Sequence, residues 1–242
     1  MTSLSPNLMQ MVLSYDDLLQ LAAVHAGELP PAEAPETLRE AGIVTPDGAH
    51  PVAGSLVEVA VAPARSVVVE RFDGALVAPM FVGWLPDGRT TLTTTDAAGA
   101  ALVAATDLSL LRHLLRQWLV LLDRPTPAER TVVRTDTAVI DAAWPAGGGD
   151  PTGDPELDAI LGSWRLAWRA SGNWADRPTD ESLTVVDAGP NGWWQVQHDD
   201  LSVAQPREEP VLVTLVPMTL EDVMSALGDV VSGREARLSP RA

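Results

Sequence analysis

The chain has 242 residues, 46% of them hydrophobic, and a net charge of −17, enough length and apolar content for a substantial core. Such acidity leaves no concentrated positive face for nucleic acid or an anionic membrane. There is no cysteine, and all sixteen basic residues are arginine, which excludes disulfides, cysteine-ligated zinc, Schiff-base lysines and the lysine of phosphate-binding loops.

In chain order, Ser14 or Asp16 opens a first helix through Leu18, Leu19, Ala22 and Ala23 that ends near Gly27. The spacing Leu18, Leu21, His25 buries one face. After the proline-rich stretch Leu29–Pro35, a short helix over Pro35–Glu40 is stopped by Gly42, and Thr45-Pro46-Asp47-Gly48 forms a turn. Pro51–Ala62 reads either way: Val57, Val59 and Val61 alternate like a strand, whereas Val52, Leu56 and Val59 recur like a helix, and the helical reading is preferred.

From Arg65 onward the chain reads as one unit written twice. The first copy comprises strands Arg65–Arg71, Ala75–Trp84 and Arg89–Thr95, with a Pro86-Asp87-Gly88 turn, and a helix from Thr106 to about Leu122. The second comprises Leu183–Asp187, a Gly189–Gly192 turn, Trp193–His198, Pro210–Val216 and a helix from Thr219 to about Val231. Thr106 and Thr219 are expected N-caps, with acid in the first turn at the positive end of the helix dipole. Between the copies, Pro125–Arg134 and Trp144–Pro155 read as linkers, the latter through Gly147-Gly148-Gly149 and three prolines. Glu156–Ala170 reads as a helix carrying Leu157, Ile160, Leu161, Trp164 and Trp168 on one face. The tail Gly233–Ala242 has no apolar face and is expected to fray.

These elements predict an α+β fold with a pseudo-duplicated, mostly antiparallel central sheet flanked by helices. Residues 1–242 form a single domain of two quasi-symmetric halves, about 1–143 and 156–242, joined by a Gly/Pro-rich loop over 144–155. Met1–Gln10 lacks the pattern of a secretory signal, and Arg112, His113 and Arg116 interrupt the most apolar helix, so no membrane insertion is expected. A cytoplasmic location follows, and the arginine-for-lysine usage suggests a GC-rich, actinobacterial genome.

No constellation points to catalysis. His25, His50, His113 and His198 contain no pair at metal-ligand spacing, no Gly-x-Ser-x-Gly elbow exists, and Gly147–Gly149 lacks the context of a phosphate loop. No catalytic residue, metal site or cofactor is expected, and an enzyme is not the preferred reading. The eight tryptophans are the remaining signal. Trp193 and Trp194 are neighbours on a strand and must point to opposite faces. One of them is expected inside, the other either under a helix layer or on the surface as an interface anchor.

The order of elements resembles the EspG family of ESX (type VII) secretion-associated proteins. It is carried by the helix Tyr15–Ala26, Leu38-Arg39-Glu40-Ala41-Gly42-Ile43-Val44, the strand Ser66–Arg71, Gly192-Trp193-Trp194-Gln195-Val196-Gln197 and Val211–Pro217. The resemblance implies a cytosolic chaperone or adaptor that covers the hydrophobic tip of a PE–PPE-type heterodimer, or of another ESX component. It implies a binding surface on the sheet, the loop after Trp84 and the C-terminal helices, here Trp84, Leu85, Pro86, Asp87, Trp193, Trp194, Leu220, Met224 and Leu227. The Leu85–Gly88 connection is a tight turn where the family tends to have a longer loop. Two other readings stand beside it: a small-molecule-binding or enzymatic protein with a cleft between the halves, Arg65, Arg71 or Arg89 gripping an anion, and a structural homodimer.

Overall fold

A computed structural model describes residues 2–73, 76–96, 98–126, 132–143, 151–174, 177–198 and 210–232. The fold is α+β with antiparallel sheet and flanking helices, as the sequence predicts. Among the described residues no helix is long and apolar enough to cross a membrane.

The first part of the chain opens with strand β1 (Ser3–Ser5) and β2 (Gln10–Ser14), followed directly by α1 (Tyr15–Ala26). Helix α2 (Glu36–Glu40), the small ribbon β3 (Val44–Thr45) and β4 (Gly48–Ala49), and α3 (Pro51–Val61) come next. A four-strand meander then runs through β5 (Arg65–Phe72), β6 (Leu76–Trp84), β7 (Thr90–Thr95) and β8 (Ala100–Thr106) into α4 (Leu108–Trp118). Strand β2 returns to lie antiparallel beside β8, the last strand of the meander.

The second part repeats this plan. Strand β9 (Val133–Asp136) leads directly into α5 (Thr137–Ala143), α6 (Pro155–Gly162) follows, and then the meander β10 (Leu166–Trp174), β11 (Arg177–Asp187), β12 (Trp193–His198) and β13 (Leu212–Met218) runs into α7 (Leu220–Ser232). Here β9 lies antiparallel beside β13. The duplication is therefore real but longer than the sequence suggests, and its register differs. β8 and β13 precede the closing helices, so the counterpart of Arg89–Thr95 is Trp193–His198 rather than Pro210–Val216.

The chain divides into two compact units, residues 1–68 with 78–114 and 173–178, and residues 69–77 with 115–172 and 179–242. In the first unit, Leu18, Leu21 and Val24 of α1 pack with Leu56 and Val57 of α3, Leu38, Ile43, and Met11, Leu13 and Val103 of β2 and β8. Val24, not His25, completes the buried stripe. The His25 ring lies instead over Gly54, where a Cβ would stand 2.8 Å from its Nδ1. The second core joins Leu157, Ile160 and Leu161 of α6 to Ala167, Val186, Trp194, Val196, Val213 and Leu215.

Two local readings are corrected, and one strand to which the sequence reading assigned no element is added. Glu156–Ala170 is not one helix: α6 stops at Gly162, Ser163 caps it, and the chain turns into β10. The helical spacing ends at Leu161, after which Leu166, Ala167 and Trp168 are buried between exposed Arg165 and Arg169, and Ala170 is buried beyond them. Ala100–Thr106 is a strand despite its alanines, because β2 and β7 flank it and supply backbone partners on both sides. The N-cap of α4 is Asp107, whose Oδ1 accepts the Leu110 N–H at 2.9 Å, while Thr106 pairs with Thr90 in the sheet. Thr219 does cap α7, in a reciprocal box: its Oγ1 accepts the Asp222 N–H at 3.0 Å, and its own N–H reaches Asp222 Oδ2 at 2.9 Å. Pro51–Val61 is a helix, with Pro51 in its first turn and His50 Nδ1 accepting the Val52 N–H. The tail after Ser232, most of the 144–155 loop and Trp144 lie outside the described residues.

Candidate protein-binding surface

The β6–β7 turn is closed by two backbone bonds, Leu85 N–H to Arg89 C=O and Gly88 N–H to Leu85 C=O, both 3.0 Å. Gly88 sits at φ 89°, which a side chain rarely adopts. Arg89 then fixes the turn to α3. Its Nε donates to Asp87 Oδ2 at 2.7 Å and its Nη1 to Glu58 Oε2 at 2.6 Å. The hydrogen bond from Arg89 holds the Glu58 carboxyl below its ordinary range. Asp87 is lowered too, first by the Arg89 backbone N–H and then by its side chain. The two carboxylates in turn raise the Arg89 guanidinium.

Strand β6 reaches this turn through Gly83, where a Cβ would meet Val59 C=O of α3 at 2.7 Å. Trp84, the next residue, points to the opposite face and is buried at 9% exposure, while Pro86 and Asp87 are exposed and Leu85 is half-buried. Phe81, on the same strand, is 41% exposed.

Trp193 and Trp194 point to opposite faces, as strand neighbours must, and both are buried. Trp194 belongs to the second core and donates Nε1–H to Asn191 C=O at 2.8 Å. Trp193 donates to Leu122 C=O at 3.1 Å, beneath the segment after α4. Neither is an exposed sheet-face anchor, because helix and loop layers cover both faces at this point. On α7, Leu227 is buried, while Leu220 and Met224 are half-buried at the helix flank.

Sequence reasoning missed a further apolar strip. Val12 on β2, Leu102 on β8 and Thr94 on β7 stand opposite one another. They share the sheet face opposite that of Met11 and Val103, which pack with α1 and α3. Leu102 is 37% exposed there. The signal was hidden because alanine-rich Ala100–Thr106 has weak strand propensity and was assigned no element from the sequence.

Nothing among the described residues gathers into a metal site. The arginines that could grip an anion are engaged: Arg71 donates to Trp118 C=O at 2.6 Å and to Asp73 at 3.2 Å, Arg89 pairs with Asp87 and Glu58, and Arg65 also has a partner.

No family model and no curated protein matches this sequence. Among solved structures, it is similar to the Mycobacterium tuberculosis type VII secretion system chaperone EspG5, determined in complex with a PE25–PPE41 dimer. The TM-score is 0.60, covering 92% of this chain and 96% of the other at 13% identity. The fold is EspG-like. At that identity the likeness speaks for architecture, and it spans both copies of the repeated plan rather than one motif.

Proposed function

We propose that this chain is a cytosolic chaperone or adaptor of a type VII (ESX) secretion system, holding the hydrophobic end of a PE–PPE-type heterodimer. The observation that carries this reading is the near full-length fold likeness to EspG5, a chaperone whose solved complex holds such a dimer. The arginines read as candidate anion grips are already engaged by groups of the protein, which weighs against the anion-binding alternative.

We assign the partner two patches, each taken by itself, from the accessible part of the set read from the sequence: exposed Pro86 and Asp87 with half-buried Leu85 at the turn of the first unit, and half-buried Leu220 and Met224 on α7 of the second. Trp84, Trp193, Trp194 and Leu227 are buried and are not assigned to the contact surface. Phe81 and the Val12–Leu102 strip add apolar area whose burial favours association, at roughly 25 cal/mol per Å² before association costs. The strong negative charge keeps the unloaded protein soluble and discourages self-association.

The test is co-expression with each PE–PPE pair of the host, scored by the yield of soluble PE–PPE. A soluble dimer that appears only with this chain supports the assignment. PE–PPE pairs equally soluble or equally aggregated with and without it would remove it.

A further inference from the structure

The outward face of α4 carries an arrangement that the chaperone reading does not use. Leu111, Leu115 and Leu119 turn inward and are buried. On the exposed side, Arg112 and Arg116 form one ridge, His113 and Gln117 the next, and Leu110 with half-buried Leu114 a third. Leu110 is 46% exposed. The chain has 33 acidic residues, yet neither Arg112 nor Arg116 makes an ion pair among the described residues. A protein of net charge −17 thus sets two exposed arginines one turn apart on a face that also carries exposed Leu110 and half-buried Leu114.

The helix is also held firmly at its C-terminal end. Leu121 N–H bonds Arg116 C=O at 3.0 Å and Val120 N–H bonds Gln117 C=O at 3.1 Å, a Schellman closure. Beyond it, Leu121 is buried and Arg124 pairs with buried Asp187 at 2.6 Å. A face held in this way loses little conformational freedom when something docks on it.

We propose that the outward face of α4 docks an acidic amphipathic helix of a partner protein. Lying along the His113–Gln117 row, such a helix would set apolar side chains on Leu110 and Leu114 and carboxylates against Arg112 and Arg116. Charge selects the occupant. Much of this chain's surface repels an acidic segment, and here two exposed cations beside an apolar ridge attract one. The inference is independent of the chaperone assignment and stands or falls by itself.

The probe is a synthetic peptide of about 18 residues, five helical turns, with leucine on one face and glutamate elsewhere. Its binding to the full chain is followed by fluorescence anisotropy at low salt. The expected result is saturable binding, weakened about five- to tenfold by Arg112→Glu/Arg116→Glu and also by Leu110→Ser. The charge-matched control Arg134→Glu/Arg169→Glu, at exposed positions elsewhere, leaves binding unchanged. Thermal melts confirm that each variant is folded. Absence of binding, or an equal loss in the control pair, overturns the proposal. So does self-association of the chain that Arg112→Glu/Arg116→Glu abolishes, since the occupant would then be a second copy.

Discussion

Arg89 Nη1 lies 2.6 Å from Glu58 Oε2, joining the turn between the second and third strands of the first meander to the helix that precedes that meander. The second meander has an equivalent tie made of different chemistry. Asn191, in the turn between β11 and β12, donates Nδ2–H to Ala159 C=O at 2.9 Å and to Ser163 Oγ at 2.8 Å, both at the end of α6. The helix caps repeat in the same way. Ser14 Oγ accepts the Asp17 N–H at 3.0 Å after β2, and Asp136 Oδ1 accepts the Val139 N–H at 3.0 Å after β9. The two copies keep the places where the backbone must be tied down, while the side chains that do it differ.

The Arg89 ties make stability at that turn depend on pH. Glu58 and Asp87 are lowered in the folded protein, so their contribution is fully present above the ordinary carboxylate range. It is lost as the pH falls through their folded values. Urea midpoints of wild type and Arg89→Ala should therefore differ at neutral pH and draw together as the pH falls through the lowered folded values of Glu58 and Asp87. A difference that persists unchanged into acid would contradict the ion-pair account. Both carboxylates are exposed, so the neutral-pH difference is small and salt reduces it.

Gly83 and Gly54 both pass close to a neighbour, and alanine should separate them. At Gly83 the added Cβ meets the backbone carbonyl of Val59 at 2.7 Å, so strand and helix must part. Gly83→Ala should cost about 1–3 kcal/mol. At Gly54 the obstacle is the side chain of His25, whose residue is exposed and can swing aside. The helical gain of alanine over glycine, about 1 kcal/mol, then offsets much of the cost. Thermal unfolding of the two variants checks the order, and a Gly54→Ala loss as large as that of Gly83→Ala would refute it.

Val120 occupies the left-handed position that closes α4, at φ 52°. A β-branched residue there costs roughly 1–2 kcal/mol, while glycine gives back about 0.5–1 kcal/mol in chain entropy. Val120→Gly should thus raise stability by about 0.5–1 kcal/mol, seen as a higher denaturant midpoint. A lower midpoint would mean that the Val120 side chain, although exposed, packs usefully.

Trp193 and Trp194 fill opposite sides of β12, and each satisfies its indole N–H. Replacing either with alanine should cost about 3–5 kcal/mol. Pro86→Ala, at an exposed turn position, should stay within about 0.5 kcal/mol. Equilibrium unfolding distinguishes them. A near-neutral Trp193→Ala would show that the segment above it is not a true cover.

Much of the plan was legible from local signals. The threonine box at Thr219, the proline at the start of α3 and the Pro86-Asp87-Gly88 turn each state their structure within a few residues. The four-strand meanders were not, because β8 and β10 are strands by virtue of their neighbours. Ala100–Thr106 has weak strand propensity and is held between β2 and β7, while Leu166–Trp174 continues an apolar run that began as a helix. The candidate surface was harder still. Adjacent tryptophans announce opposite faces, but whether a face is covered depends on chain far away: Leu122 lies 71 residues from Trp193. The ties of Arg89 to α3 are equally non-local.

The most direct measurement of the central claim is the mass of the complex formed when this purified chain meets a purified PE–PPE dimer from its own host. Size-exclusion chromatography with light scattering reads it without labels. The account predicts a single species containing one copy of each of the three chains, weakened by a charge placed at exposed Pro86 (Pro86→Glu) with little change in the melting of this chain alone. Elution of the chain and the dimer as separate species, for every PE–PPE pair of the host, would contradict it.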